Sequence, residues 1–274
     1  MKLAVNYSLP CAELVERGRI DFDLYKTTEW AEMIEAAEAQ RPAYVHFPFH
    51  AGRQNMESVG LEQVENLLAT TATPYVNTHI APRASDFGMD MRSTDETWLE
   101  RLIPAMMADI EALTSFFGTE QVILENANYD PNYDIPILTI QPALIRRLVD
   151  ETGCGLLLDL AHARMAAHYF GMETQAYIEQ LPLYALCELH VAGTRYDDEQ
   201  QRLVDHYPMT EVDWETTEWA LQNIHAGEWP EPRIVALEYG GTGSFFSANS
   251  DPLVLKTDVP RLYKLVQGMG ITSL

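Results

Sequence analysis

The runs Gly155-Leu156-Leu157-Leu158-Asp159 and Ala185-Leu186-Cys187-Glu188-Leu189-His190-Val191, separated by helical spacing over Thr174 to Leu181, decide the fold. Both runs are mostly apolar, as strands buried on two faces of a parallel sheet are. Working outward, the same kind of run recurs at Leu3 to Tyr7, Phe22 to Lys26, Ala43 to His46, Tyr75 to His79, Gln121 to Glu125 and Arg233 to Glu238. Helical spacing falls between them over Glu29 to Ala39, Leu61 to Thr70, Thr97 to Phe117, Pro142 to Glu151 and Val212 to Ile224. Eight strand runs in 274 residues predict an α/β fold, a (β/α)₈ TIM barrel, which needs about 250 residues. The chain reads as a single domain over 1–274, with long loops after strands four, five, seven and eight. Pro104 is expected to kink its helix or mark its start, and Thr210 with Asp213 forms a capping-box pattern.

Composition narrows the function. The net charge is −23, with 18 Lys and Arg against 41 Asp and Glu, which repels a phosphate backbone and argues against nucleic acid as a partner. No apolar run reaches the roughly 18 residues of a membrane span, and the N-terminus reads as a first strand and not as a signal peptide, so a cytoplasmic location is expected. Cys11, Cys154 and Cys187 have no C-x-x-C spacing and read as structural thiols.

The chemistry lies in where the ionisable residues fall. Six runs end on, or within a residue of, a His, Asp or Glu: His46, His79, Glu125, Asp159, His190 and Glu238. In a barrel these ends face one mouth. His162, Asp205 and His206 follow shortly after strand ends, making five imidazoles and four carboxylates. One ion rarely takes more than about six ligands, so nine imply at least two, and a nitrogen and oxygen set without cysteine suits iron, zinc or manganese. Four clustered carboxylates would raise one another's pKa unless cations held them ionised. Singly, each residue has a plainer role: a strand-end His is more often hydrogen-bonded structure, and Asp159 or Glu125 could cap the next helix. Six coincident ends are harder to explain that way. Glu125, Asp159 and Glu238 are also the candidate catalytic groups. His50, Asn126 and Asn128 are candidate substrate contacts, His168 and His225 fall in helical stretches, and Gly240 to Gly243 read as a flexible final loop without a dinucleotide fingerprint.

The string TGCGLLLDLAHARMAAHYFGMETQAYIEQLPLYALCELHVAGT, Thr152 to Thr194, resembles the multinuclear non-haem iron-dependent oxidases, which include enzymes that modify cysteines of precursor peptides. VHFPFHAG, VNTHIA, ILENAN, DHYPMTEVDW and ALEYGG agree in order. The resemblance implies a barrel of the xylose-isomerase-like superfamily with two or three iron ions, dioxygen as co-substrate and a peptidyl cysteine as the group modified. It also implies a peptide-presenting partner protein or domain. Its ligands would be His46, His79, Glu125, Asp159, His162, His190, Asp205, His206 and Glu238. The chain departs from the family at His162, where Asn is common, at Thr194, where a second His is common, and in having Asp205 and His206 adjacent instead of Asp-x-His.

Three other readings stay open. A divalent-metal sugar or sugar-phosphate isomerase or epimerase would place its small-molecule substrate between Glu125 and Glu238. The Asp159-x-x-His162 pair is similar to endonuclease-IV-type zinc hydrolases, whose DNA substrate the acidic composition disfavours. A degenerate barrel that only binds is the third.

Overall fold

The computed structural model describes residues 1–130, 132–242 and 250–269, so Gly243 of the final loop lies outside the described residues. Its strands are β1 (Lys2–Asn6), β2 (Leu24–Thr27), β3 (Ala43–Val45), β4 (Val76–His79), β5 (Val122–Glu125), β6 (Gly155–Asp159), β7 (Leu186–Val191), β8 (Gly193–Asp197), β9 (Arg202–Tyr207) and β10 (Ile234–Leu237). The helices are α1 (Leu9–Glu16), α2 (Ala31–Glu38), α3 (Leu61–Thr70), α4 (Ala84–Phe87), α5 (Leu99–Phe117), α6 (Pro142–Thr152), α7 (Leu160–Phe170), α8 (Thr174–Ile178), α9 (Glu211–His225) and α10 (Pro252–Val266).

Eight parallel strands form one sheet in the order β3-β2-β1-β10-β7-β6-β5-β4. The sheet curls until its two edges meet. At that seam the main-chain ladder is incomplete and side chains stitch it: Asn77 accepts from Phe47 N at 2.7 Å and donates to Phe47 O at 3.0 Å, as a peptide group would. One step further, His79 N donates to Phe49 O at 3.0 Å and Ala51 N to His79 O at 2.9 Å, a parallel bridge that closes the barrel at its mouth.

Strand alternation sorts the side chains. Val45, Leu124, Leu158, Leu189 and Leu237 join the core beneath the helices, so each next residue, His46, Glu125, Asp159, His190 and Glu238, turns inward. Deeper inside, Ala4, Leu24, Tyr44, Ile234 and Ala236 make a dry cluster whose two alanines leave room for the tyrosine. Where β7 leaves β6, the register jumps from Leu186 to Glu188 opposite Leu156 and Leu157, and this bulge brings Glu188 and His190 onto the inner face.

All eight barrel strands and five of the six expected helices lie within about two residues of their expected places, a margin ordinary for helix ends. The sixth, expected over Thr174 to Leu181, ends three residues early at Ile178. The capping box is present: Thr210 Oγ1 accepts from Asp213 N and Asp213 Oδ2 accepts from Thr210 N. Pro104 neither starts nor ends its helix; it sits in the second turn of α5 on the exposed side, where water can serve the carbonyl that loses its donor. The expected loop after strand seven is instead the antiparallel ribbon β8–β9. Among the described residues no helix is long and apolar enough to cross a membrane.

Candidate metal centre

The six strand-end residues converge as alternation requires. Glu125, almost fully buried, has its Oε2 at 3.0 Å from His46 Nε2 and 3.1 Å from His79 Nε2. His190 Nδ1 lies 3.0 Å from Glu238 Oε1 and 3.9 Å from Asp159 Oδ2. Three overlapping triads result: His46, Glu125 and His190; Glu125, Asp159 and His162; Asp159, His190 and Glu238.

The tautomers follow from the partners, because a backbone carbonyl only accepts. Nδ1–H of His79 donates to Phe49 O at 3.1 Å, that of His162 to Asn126 O at 2.8 Å, that of His206 to Glu238 O at 3.1 Å and that of His50 to Pro48 O at 3.0 Å. This turns Nε2 of His79 toward Glu125, that of His162 toward Asp205 and that of His206 toward Glu238. His190 is held the other way round: its Nε2–H donates to buried Glu188 Oε1 at 2.8 Å, leaving Nδ1 toward Glu238. Such carboxylate-to-imidazole bonds orient metal-binding histidines.

This arrangement leaves acceptors facing acceptors. The His79 Nε2 lone pair meets the Glu125 carboxylate at 3.1 Å with no proton to share. Asp159 Oδ2 and His190 Nδ1 are buried without a hydrogen-bond partner. Buried polar atoms are normally satisfied, and a divalent cation among them would satisfy all of these at once, so the residues present fit the metal ions that the donor set implies. Asp159 serves two roles: Oδ1 caps α7 by accepting from His162 N at 2.8 Å, and Oδ2 faces the mouth.

Protonation agrees. Burial pushes His46 down to about 3, with the Lys26 charge adding to it, and lowers His79, His190 and His206 as well, so these imidazoles are neutral at neutral pH, as metal binding requires. At His162 burial is outweighed by Asp159, Asp205 and Glu125, which push it up to about 10. Surroundings that favour a proton on Nε2 equally favour a metal cation there.

Asp205 and His206 reach the mouth by a different device. Neighbours on a strand point to opposite faces, yet Asp205 Oδ2 lies 3.3 Å from His162 Nε2 and His206 Nε2 lies 3.8 Å from Glu238 Oε2. His206 achieves this with φ +61°, the left-handed region that a side chain rarely adopts. The ribbon is anchored beneath by Asp213, which accepts from Thr194 N at 3.2 Å and from its hydroxyl at 3.0 Å, so Thr194 serves α9 and not the mouth. Arg202 ties β9 to Asp130.

The mouth opens into a cavity of about 640 Å³ whose walls include His50, Asn128, Tyr133, Trp30 and Met33. His50 stacks on His79 with ring centres 4.9 Å apart. Asn126 does not line this cavity: its amide donates to Asp159 O at 2.9 Å and accepts from Asp159 N at 2.8 Å, which fixes the end of β6. His168 lies on α7, and His225 ends α9 with its Nε2–H donating to Leu265 O at 3.0 Å, both outside the cavity walls.

Sequence reading missed Glu188, Asn77 and Lys26. Glu188 stands two residues before His190, so period two places it on the same inner face. Lys26 ends its own run as the ligands end theirs, and its ammonium pairs with Glu238 Oε1. Burial lowers Lys26 to about 8, against the raising effect of Glu125, Glu188 and Asp159.

With this geometry in view, comparison with known proteins identifies the lineage. Residues 27–228 match the family described as RiPP precursor modification enzyme MbnB/TglH/ChrH. The chain belongs to this family. Among curated relatives, a UPF0276 protein of Bordetella pertussis is 40% identical over 79 residues, 27% of this chain and 27% of that protein. A UPF0276 protein of Paraburkholderia phytofirmans is 45% identical over 62 residues, 22% of this chain and 20% of that protein. The matched stretch thus spans only about a quarter of these relatives' length. Among solved structures, a xylose isomerase domain containing protein of Salmonella typhimurium LT2 superposes with TM-score 0.59 at 14% identity, covering 97% of each chain. D-psicose 3-epimerase of Clostridium cellulolyticum H10 does so with TM-score 0.54 at 14% identity, covering 100% of each. At such identity these two likenesses establish the (β/α)₈ barrel fold alone.

Proposed function

We propose that the chain is a multinuclear metal-dependent oxidase, with two or three iron ions, that uses dioxygen to modify a cysteine of a precursor peptide. The observation that carries the metal reading is the unprotonated contact between His79 Nε2 and Glu125 Oε2, with Asp159 Oδ2 and His190 Nδ1 orphaned beside it. Family membership supports the peptide. When bound, the ions would supply Lewis acidity and redox chemistry toward dioxygen and a substrate thiol. His46, His79 and Glu125 would hold one ion, Asp159, His190 and Glu238 a second, and His162 with Asp205 and His206 a third. Glu188 keeps His190 in the required tautomer, and Asn126 keeps Asp159 in place. A cysteine-bearing segment, presented by a partner protein or domain, would enter past His50, Asn128 and Tyr133.

The isomerase reading, with its substrate between Glu125 and Glu238, calls for one ion, whereas three overlapping triads offer more donors than one ion takes. The test is to incubate iron-loaded protein with a cysteine-containing precursor peptide under dioxygen, following peptide mass and oxygen uptake. The proposal expects a cysteine-localised mass change matched by oxygen consumption. Interconversion of a ketose without oxygen uptake would replace it with the isomerase reading.

A further inference from the structure

The chain has four lysines, Lys2, Lys26, Lys256 and Lys264. Three are exposed, whereas Lys26 is 7% exposed and enters the barrel from β2 at the level of the strand-end ligands. Its ammonium pairs with Glu238 Oε1, the same oxygen that lies 3.0 Å from His190 Nδ1. Asp159, His190 and Glu238 form one of the three metal triads, so a fixed organic cation sits at the edge of a position where a metal cation belongs.

Resting on the metal reading of the mouth, we propose that Lys26 is a built-in counter-cation that limits how many metal ions the mouth retains, by competing for Glu238. Five carboxylates face this interior: Glu125, Asp159, Glu188 and Glu238, all buried, and Asp205, mostly so. Two divalent ions and one ammonium balance them once His162 has lost its proton to bind metal. A third divalent ion overbalances them while Lys26 stays charged, and like charges held a few ångströms apart in a protein interior repel strongly. Tyr44 is the lysine's partner in register on β3.

The test compares wild type with Lys26→Met, Lys26→Gln and Lys26→Arg, each stripped of metal, checked for folding by circular dichroism and titrated anaerobically with ferrous ion alone. Metal per chain is read at fixed free iron. The neutral variants are expected to hold one ion more per chain than wild type, or to bind the weakest ion at least tenfold tighter, while the arginine variant stays with wild type. Uptake by the folded neutral variants that equals or falls below wild type would overturn the proposal, because Lys26 would then support Glu238 instead of competing for it. Should no protein, wild type included, take up iron, the metal reading itself fails and this inference with it. Two neutral side chains of different polarity keep the test decisive if one of them disturbs packing.

Discussion

The barrel rim and the β8–β9 ribbon both deliver candidate ligands to one mouth, by opposite means. On the rim, alternation along buried strands leaves His46, His79, Glu125, Asp159, His190 and Glu238 no direction but inward. On the ribbon, Asp205 and His206 are neighbours in sequence and reach the same space only through a left-handed residue. Rim geometry is thus a by-product of the fold, whereas ribbon geometry is held against a local conformational cost by the Asp213 and Asp130 anchors. Damage to the rim should remove metal from a standing barrel, and damage to the ribbon should remove only the ion that depends on it.

The largest effect is expected at Glu125, which touches three histidines. Glu125→Gln should cut metal content by more than half with the barrel's circular dichroism intact, measured by elemental analysis of folded protein; retention of the full complement would break the rim account. Next comes Gly193, where an added Cβ would lie 2.1 Å from Pro208 O and 2.3 Å from Tyr207 O. Gly193→Ala should cost about 2 kcal/mol, speed proteolysis of the β8–β9 ribbon and lose one ion, and unchanged proteolysis would contradict the ribbon anchoring. His206→Gly is subtler. It should lose the same ion yet be more stable than His206→Ala by about 1 kcal/mol, because glycine accepts φ +61° freely; equal melting temperatures would mean that no strain is held there.

The smallest effect lies outside the mouth, on α10. Asp258 on α10 is buried, and burial raises its carboxyl to about 6 despite the opposing Met209 N–H and Arg261. The folded state therefore binds this proton more tightly than the unfolded chain, and its contribution is present at low pH and lost as pH rises through about 6. Asp258→Asn should gain about 1 kcal/mol at pH 7.5, with the gain fading below about pH 4 and metal content unchanged. A gain independent of pH would contradict the assignment.

The same contrast explains what could be read in advance. The eight barrel strands were legible because strands buried on two faces are short apolar runs, and the candidate ligands because six of those runs end on or beside one. Helix α7 was read only as a helical stretch at His168, since Leu160, Ala161, His162, Ala163, Met165, Ala166 and Ala167 are buried and Arg164 and His168 alone mark its outer face. The ribbon was hidden because β9, Arg202–Tyr207, is polar and only half-buried, so nothing in its composition separates it from a loop. Glu188 and Lys26 lay at the right period but were absorbed into apolar runs. Asn126 looked like a substrate contact and proved to be a brace, which only the Asp159 hydrogen bonds reveal.

Metal analysis of anaerobically purified protein tests the central claim most directly, with iron, zinc and manganese measured per chain. Two or more ions per chain, with iron among them, is the result predicted by lone pairs facing carboxylates at His79 and Glu125 and by the orphaned Asp159 Oδ2 and His190 Nδ1. Protein that carries no metal and takes up none when supplied would contradict it.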